Sequence, residues 1–219
     1  FGGTSLATPE LIRNGAAEVA RMAQRGESCA IVVSAAGNTT SDMLSRLSNV
    51  VPEGTDYHLA SEYSLLGEEA SAILFTAALR GLGCKAQMFS PRDRETWPII
   101  ADIEDHSPLS MAKVNEERPF TVRANFTSSR FKRFVSPGMR IGTIPVFCGF
   151  VALDTLDQVV ALGRGGSDIT AFVVGAFIAA DEIDIITDVE GILSADPDLV
   201  GEAAVRNMLT IAELERIAD

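Results

Sequence analysis

Short, uninterrupted apolar runs that stop at clusters of glycine and hydroxyl residues most limit what this chain can fold into. Ala30 to Ser34, Ile144 to Phe150 and Val159 to Leu162 are such runs, Ile183 to Ile186 reads the same way around Asp184, and Lys85 to Phe89 follows the breaker Gly81-Leu82-Gly83. A strand that is apolar at every position is buried on both faces, which requires helices above and below the sheet. The helical patterns between the runs supply them. Thr8 is placed to cap a helix with Pro9 at its first position, and Leu11, Ile12, Ala16, Val19 and Met22 share one face. His58 to Arg80 is a long helical pattern with Gly67 inside it. Ser167 is expected to cap an almost wholly apolar, buried helix from Asp168 to Ala180, and Thr210-Ile-Ala-Glu213 opens a last helix over Ile211 to Ala218. Ala35 to Ser41 reads as a loop. Asp93 to Arg123, charged and proline-rich with Trp97 inside it, reads as an irregular excursion between two lobes. The expected fold is α/β, a three-layer αβα sandwich on a mostly parallel central sheet.

Composition narrows the function classes. The chain has 219 residues, 47% hydrophobic and 22% charged, enough for a real core. At about 150 residues per domain it makes one large domain, or one with a small appendage. Thirty acidic against 18 basic residues give a formal charge of −12, which argues against a nucleic-acid partner but leaves room for a phosphorylated small molecule in a locally positive pocket. No apolar run approaches the roughly 20 residues of a bilayer span, and no charged-then-apolar leader opens the chain. Cys29, Cys84 and Cys148 lack C-x-x-C spacing and read as reduced thiols of a cytosolic protein. His58 and His106, both in polar segments, make a histidine-based metal or triad site improbable, and no metal-ligating residue is assigned. The first residue is Phe1 rather than Met, so a removed or longer natural start is expected.

Three turns concentrate glycine and small hydroxyl residues: Phe1-Gly-Gly-Thr-Ser5, Ser34-Ala-Ala-Gly-Asn-Thr-Thr40 and Gly163-Arg-Gly-Gly-Ser-Asp168. Glycine lets backbone N–H groups approach a ligand, and a helix start adds unpaired donors and a positive dipole end. In an open α/β sheet, ligands bind where strands end. The three turns together suit an anion, most plausibly phosphate, although Gly-Gly pairs also make ordinary tight turns. A G-x-x-x-x-G-K-[ST] loop, a strand-following G-x-G-x-x-G and the protein-kinase motif set are all missing. A nucleotide enzyme with this sequence belongs to another lineage.

In order along the chain, Phe1-Gly-Gly-Thr-Ser5, Ile31-Val-Val-Ser-Ala-Ala-Gly-Asn-Thr-Thr40, Gly67-Glu68 with Ser71, Pro145-Val-Phe-Cys-Gly-Phe150, Leu162-Gly-Arg-Gly-Gly-Ser-Asp168, Thr187-Asp-Val-Glu-Gly191 and Ala195-Asp-Pro197 resemble the aspartokinases of the amino-acid kinase superfamily. The resemblance covers nearly the whole chain. It implies ATP-dependent phosphorylation of the side-chain carboxylate of L-aspartate to 4-phospho-L-aspartate, the entry to lysine, methionine and threonine synthesis. It also implies ATP with Mg²⁺, a cytoplasmic location, and a homodimer or larger homo-oligomer without nucleic-acid or membrane partners. Residues 1–219 would form one amino-acid kinase domain, about 1–150 its aspartate-binding lobe and about 151–219 the start of its nucleotide-binding lobe. Its C-terminal part would be cut short, with no ACT regulatory domain.

The resemblance assigns roles residue by residue. Arg164 and Asp168 are the catalytic residues, Arg164 gripping the α-carboxylate with its planar fork and Asp168 orienting cationic groups around the phosphoryl. Glu68 receives the α-ammonium, Ser34 and Thr40 hold the reacting carboxylate, and Gly165, Gly166 and Ser167 complete the amino-acid site. Phe1, Gly2, Gly3 and Ser5, with Thr187, Asp188 and Leu193, form the nucleotide site. Each also has a plainer reading: Glu68 as one helix glutamate among Glu62 and Glu69, Asp168 as a favourable charge at a helix start, Thr187 as a strand-ending cap.

The match has departures. The family's phosphoryl-stabilising lysine would stand immediately before Phe1. Leu193 replaces an aromatic, Asp198 an arginine, Leu65-Leu66 a small hydroxyl pair and Ala152 a glycine. These departures keep a second reading open, a non-catalytic amino-acid-kinase-like subunit that binds aspartate or nucleotide. A third, a superfamily member acting on glutamate, acetylglutamate or UMP, is disfavoured by Gly67-Glu68 and the LGRGGSD run.

Overall fold

A computed structural model describes residues 1–52, 54–104, 119–163, 165–188, 191 and 210. The chain divides into two compact units, Phe1–Ile186 and Thr187–Asp219. Every helix and strand of the described residues lies in the first unit.

The centre of that unit is a three-stranded parallel sheet in the order β1 (Ile31–Val33), β5 (Ile144–Cys148), β2 (Ala86–Phe89). Val32 is paired with Phe147, and Met88 with Val146. Every residue of β1 and β5 is buried, so both faces of the sheet are covered, as the continuous apolar runs demand. Helix α3 (Tyr57–Gly81) lies against all three strands, with α1 (Pro9–Gln24) and α2 (Thr39–Val50) packed on it. Helices α5 (Ser136–Arg140) and α6 (Gly166–Ile178) meet β5 and β1 respectively. The Thr8 side chain accepts from Leu11 N, and Asp56 caps α3 by accepting from Leu59 N. The Phe147 ring joins Phe89, Trp97 and Phe131 at centroid separations of 5.1, 6.2 and 5.9 Å, one aromatic cluster beneath the sheet.

Several expectations are corrected. Ala35 to Ser41 is not all loop, because α2 begins at Thr39, where Leu44 finds a buried position. The first half of the Asp93–Arg123 stretch is core rather than excursion. Trp97, Ile99 and Ala101 are fully buried, and β3 (Ala101–Ile103) pairs antiparallel with β4 (Phe120–Val122). Arg130, at the end of α4 (Ala124–Arg130), holds this segment by donating to the carbonyls of Arg94, Glu95 and Trp97. Residues 105–118 lie outside the described set. A further antiparallel hairpin, β6 (Val151–Leu153) with β7 (Val159–Ala161), is closed by the buried Asp154, whose carboxylate accepts from Leu156 N and Gln158 N.

Ile183 to Ile186 forms no strand. Its isoleucines are 38–41% exposed, and Gly2 N–H donating to Ile186 O (2.9 Å) is its one cross-chain rung to the opening turn. The cap of α6 is Gly165, in the left-handed region at φ 68°, and Ser167 sits inside the first turn instead. Nor is α6 wholly buried: Thr170, Val174 and Gly175 face inward while Phe172 is 53% exposed, because the helix has a packing partner on one side. Among the described residues no helix is long and apolar enough to cross a membrane, and all three cysteines are free thiols.

Candidate active site

The carboxyl ends of β1 and β5 meet the opening turn and the start of α6. The Phe1 amino group donates to Val32 O (2.9 Å), Ser34 N donates to Phe1 O (3.0 Å), and Gly37 N donates to Gly3 O (2.7 Å), so residues 1–3 run along the end of β1 into the Ser34–Thr40 turn. Phe1, Ser34, Ser167 and Asp168 line one cleft of about 680 Å³. Of the sequence-assigned residues, Phe1 of the opening turn, Ser34, and Ser167 and Asp168 of α6 therefore share one cavity, and Gly2, Gly3, Ser5, Gly165 and Gly166 do not line it. The Phe1 ring itself points into the core against Phe75, at 4.9 Å between centroids, leaving its main chain toward the cleft. Gly2 N–H is occupied by Ile186 O, and Ser5 Oγ donates to the same carbonyl at 3.2 Å.

Gly149, just past β5, explains how α6 approaches so closely. A Cβ there would stand 2.6 Å from Ser167 Oγ and 2.9 Å from Val33 O. A methyl group must displace the first turn of α6 or the end of β1. Gly149→Ala is expected to destabilise the protein by about 1–3 kcal/mol, read as a fall in melting temperature. An unchanged melting temperature would show that α6 does not sit this tightly.

On the other side of the Ser34–Thr40 turn lies Glu68. Its helix packs so closely that a Cβ on Gly67 would be 3.0 Å from Ala35 Cβ and 3.1 Å from Thr39 Cγ2. Glu68 is 2% exposed. Burial pushes its carboxyl up to about 8, and hydrogen bonds from Ala35 N–H and the Thr40 hydroxyl counter the shift only in part. Thr40 Oγ1 reaches Oε1 at 3.4 Å, while Oε2 has no partner among the described residues. A buried carboxyl with one unsatisfied oxygen is costly in a core and suited to a cationic ligand. The plain reading of Glu68 as a surface glutamate is thereby excluded. Its neighbour Glu69 is half-buried but has partners, since Ser90 Oγ and Arg92 Nε each donate to it at 2.5 Å.

Phe150 belongs to the same rim, and the sequence reading gave it no role. It is a non-glycine residue at φ 70°, its carbonyl accepts from Leu162 N (2.8 Å), and a Cβ on Gly166 would lie 2.9 Å from Cδ2 of its ring. Strain of this kind concentrates at functional sites, and its signal is a backbone angle that no residue pattern carries. Cys148, at the end of β5, is an inert thiol, because burial and the carboxylates of Glu68 and Glu69 push its pKa up.

Arg164, Leu193 and Asp198, the Ala195-Asp-Pro197 motif and the Ile211–Ala218 helix lie outside the described residues. Thr187 and Asp188 belong to the second unit, where the Thr187 hydroxyl donates to Asp188 Oδ1 at 3.3 Å. Among the described residues no group of three or more His, Cys, Asp or Glu side chains could hold a metal ion.

The chain matches the amino acid kinase family over residues 1–219. It is 31% identical to the aspartokinase of Mycobacterium bovis over its whole length, covering 47% of that protein, and 29% identical to one from Thermus thermophilus, covering 93% of this chain and 45% of the relative. The chain thus spans about half the length of the curated relatives it matches. Among solved structures, aspartate kinase from Synechocystis superposes with a TM-score of 0.72 at 27% identity, covering 100% of this chain and 32% of the other. Escherichia coli aspartokinase III in complex with aspartate and ADP superposes at 0.77 and 22% identity, covering 100% and 55%, and speaks for the fold alone. With the parallel β1–β5–β2 sheet, the three glycine turns and this whole-length match in agreement, the chain belongs to the amino acid kinase family.

Proposed function

We propose that the chain is the amino-acid-binding and catalytic part of an aspartokinase, which transfers the γ-phosphoryl of ATP to the side-chain carboxylate of L-aspartate. About 1–150 would form the aspartate-binding lobe and about 151–219 the start of the nucleotide-binding lobe. The observation that carries the reading is the buried Glu68 with its unpartnered Oε2. Glu68 accepts from Ala35 N–H and the Thr40 hydroxyl in the turn that begins at Ser34, and Ser34 lines the cleft with Phe1, Ser167 and Asp168. A free carboxylate oxygen in a buried site is a receptor for an α-ammonium group, and the relatives are named aspartokinases.

A carboxylate is already an oxygen nucleophile, so no general base is needed. One oxygen of the substrate side chain forms the new O–P bond while the bond from the γ-phosphorus to the bridging oxygen breaks, and ADP leaves. The protein must hold two anions together and stabilise the charge passing between them. Glu68 takes the ammonium, the Ser34 and Thr40 hydroxyls hold the reacting carboxylate, and Arg164 grips the α-carboxylate. The first-turn amides of α6 at Ser167 and Asp168 offer donors and a positive dipole end, while that of Gly166 already donates to Gly163 O (3.0 Å). The resemblance gives nucleotide roles to Phe1, Gly2, Gly3 and Ser5, and separately to Thr187, Asp188 and Leu193. Mg²⁺ would neutralise phosphate charge, and the described residues form no cage for it.

Glu68 makes the amino-acid half testable without turnover. At pH 7 a carboxyl titrating at about 8 is mostly protonated. Binding an ammonium ionises it, so L-aspartate should release close to one proton per site at pH 7 and almost none above pH 9. Calorimetry in two buffers of different ionisation enthalpy reads that number directly. Binding with no proton release at pH 7 would remove Glu68 from the site. Catalysis is tested by trapping the acyl phosphate as hydroxamate with ATP, Mg²⁺ and L-aspartate, beside Arg164→Ala. Hydroxamate above that control supports the kinase, whereas aspartate binding without hydroxamate supports the non-catalytic reading.

A further inference from the structure

Where β5 ends, the chain places glycine and a large ring in the order its backbone would not choose. Phe150 is left-handed at φ 70°, and Gly149 beside it lies outside that region. The left-handed region favours glycine, because a Cβ there crowds the following carbonyl. Space accounts for Gly149, since Ser167 Oγ and Val33 O leave no room for a Cβ. It is the ring at 150 that needs a reason. A Cβ on Gly166 would lie 2.9 Å from Phe150 Cδ2, 3.1 Å from Phe150 Cα and 3.3 Å from Leu162 Cβ. The first turn of α6 thus rests directly on Phe150. Two consecutive residues after β5 face two consecutive residues of α6, Gly149 against Ser167 and Phe150 against Gly166. Phe150 O also accepts from Leu162 N at 2.8 Å, and Gly163 O accepts from Gly166 N at 3.0 Å. Since β6 starts at Val151 and β7 ends at Ala161, Phe150 stands where the hairpin leaves the sheet and where it returns to enter α6.

We infer that Phe150 is a positioning residue: its ring is the seat that sets where the first turn of α6 stands, and so where Ser167 and Asp168 enter the cleft they line. Glycine at 150 would relieve the backbone and leave α6 without that seat. Core filling is a poor alternative. The Phe150 ring is only half-buried, whereas Phe89, Phe131 and Phe147 fill the centre and are buried. A half-buried ring gains little apolar burial to set against a left-handed backbone. The consequence for turnover rests on the aspartokinase reading, while the seat itself does not.

Three variants separate the strain from the ring. Phe150→Ala removes the ring and keeps the strained Cβ, Phe150→Gly removes both, and Phe150→Leu keeps branched carbons against Gly166. The glycine variant should melt about 2–4 °C above the alanine variant, the reverse of the order at an ordinary position. Amide exchange at Gly166 and Ile169, whose N–H groups donate to Gly163 O and Gly165 O, reads the seat without turnover. It should quicken about tenfold in both ringless variants, stay unchanged at Ala72 in α3, and return close to the wild-type rate in Phe150→Leu. Hydroxamate formation should fall about 10–100-fold in the alanine and glycine variants alike, although one is more stable than the other, and recover in Phe150→Leu. A ring that merely fills the core would let activity follow melting temperature. That outcome, a glycine variant no more stable than the alanine one, or wild-type exchange in the ringless variants overturns the inference. A wild type that forms no hydroxamate fails the kinase reading instead, and the exchange and melting comparisons still decide the seat.

Discussion

Asp168→Asn is expected to cut hydroxamate formation by about 10²–10³-fold with little change in the KM for L-aspartate, the size of effect seen when one preorganised electrostatic group is lost. Its place is what singles it out. Asp168 is exposed in the first turn of α6, on the cleft it shares with Phe1, Ser34 and Ser167. An acidic residue in the first helical turn would be worth a few tenths of a kcal/mol to the helix alone. Asparagine keeps the size and also suits a helix start, so stability should scarcely move. If Asp168 serves only the helix, turnover will track the small stability change and the kinase assignment of this residue fails. A rise in KM without loss of kcat would instead make it a binding group for the amino acid.

How far the sequence could be read depends on which forces leave a mark on it. β1 and β5 were legible because burial on both faces demands an apolar residue at every position, and Ile31–Val33 and Ile144–Cys148 have one. α1 was legible through periodicity and its Thr8 cap, and α3 through its long helical pattern, while the Asp56 cap of α3 shows only in the structure. Ile183–Ile186 is as rich in isoleucine as a strand but carries Asp184 and forms no strand, since isoleucine content prescribes burial and not a neighbour to pair with. α2 went unread because it starts among residues that equally make a turn, and Leu44 becomes informative only when α3 is beside it. The close fit of Gly149 to Ser167, and the left-handed Phe150, are relations between distant segments that no local pattern encodes. For the site, spacing brought out the three glycine turns and the family match brought out Glu68. What the sequence could not carry is that Glu68 is buried with one oxygen unsatisfied, which is the fact that makes a helix glutamate a candidate receptor.

Glu68→Gln should therefore move stability and binding in opposite directions. The folded-state value of about 8 lies above the ordinary 4.5, so the folded protein holds a proton that the unfolded chain releases. The favourable contribution of that protonated form is complete below pH 4.5, declines as pH rises from 4.5 to 8, and is gone above 8. Glutamine mimics the neutral acid at every pH. Urea unfolding should show the wild type losing stability across that window, on the order of a few kcal/mol, and the variant losing less. The two proteins should be nearly equal at pH 4.5 and furthest apart above pH 8. L-Aspartate affinity should fall about 10²-fold, because glutamine cannot answer an ammonium with charge. A glutamate kept at such a cost to the fold, and needed by the ligand, is the signature of a site that trades stability for binding. A variant less stable than wild type at about pH 8, or one that binds aspartate as tightly, would mean that Glu68 is a structural acid and that the amino-acid pocket lies elsewhere on the rim.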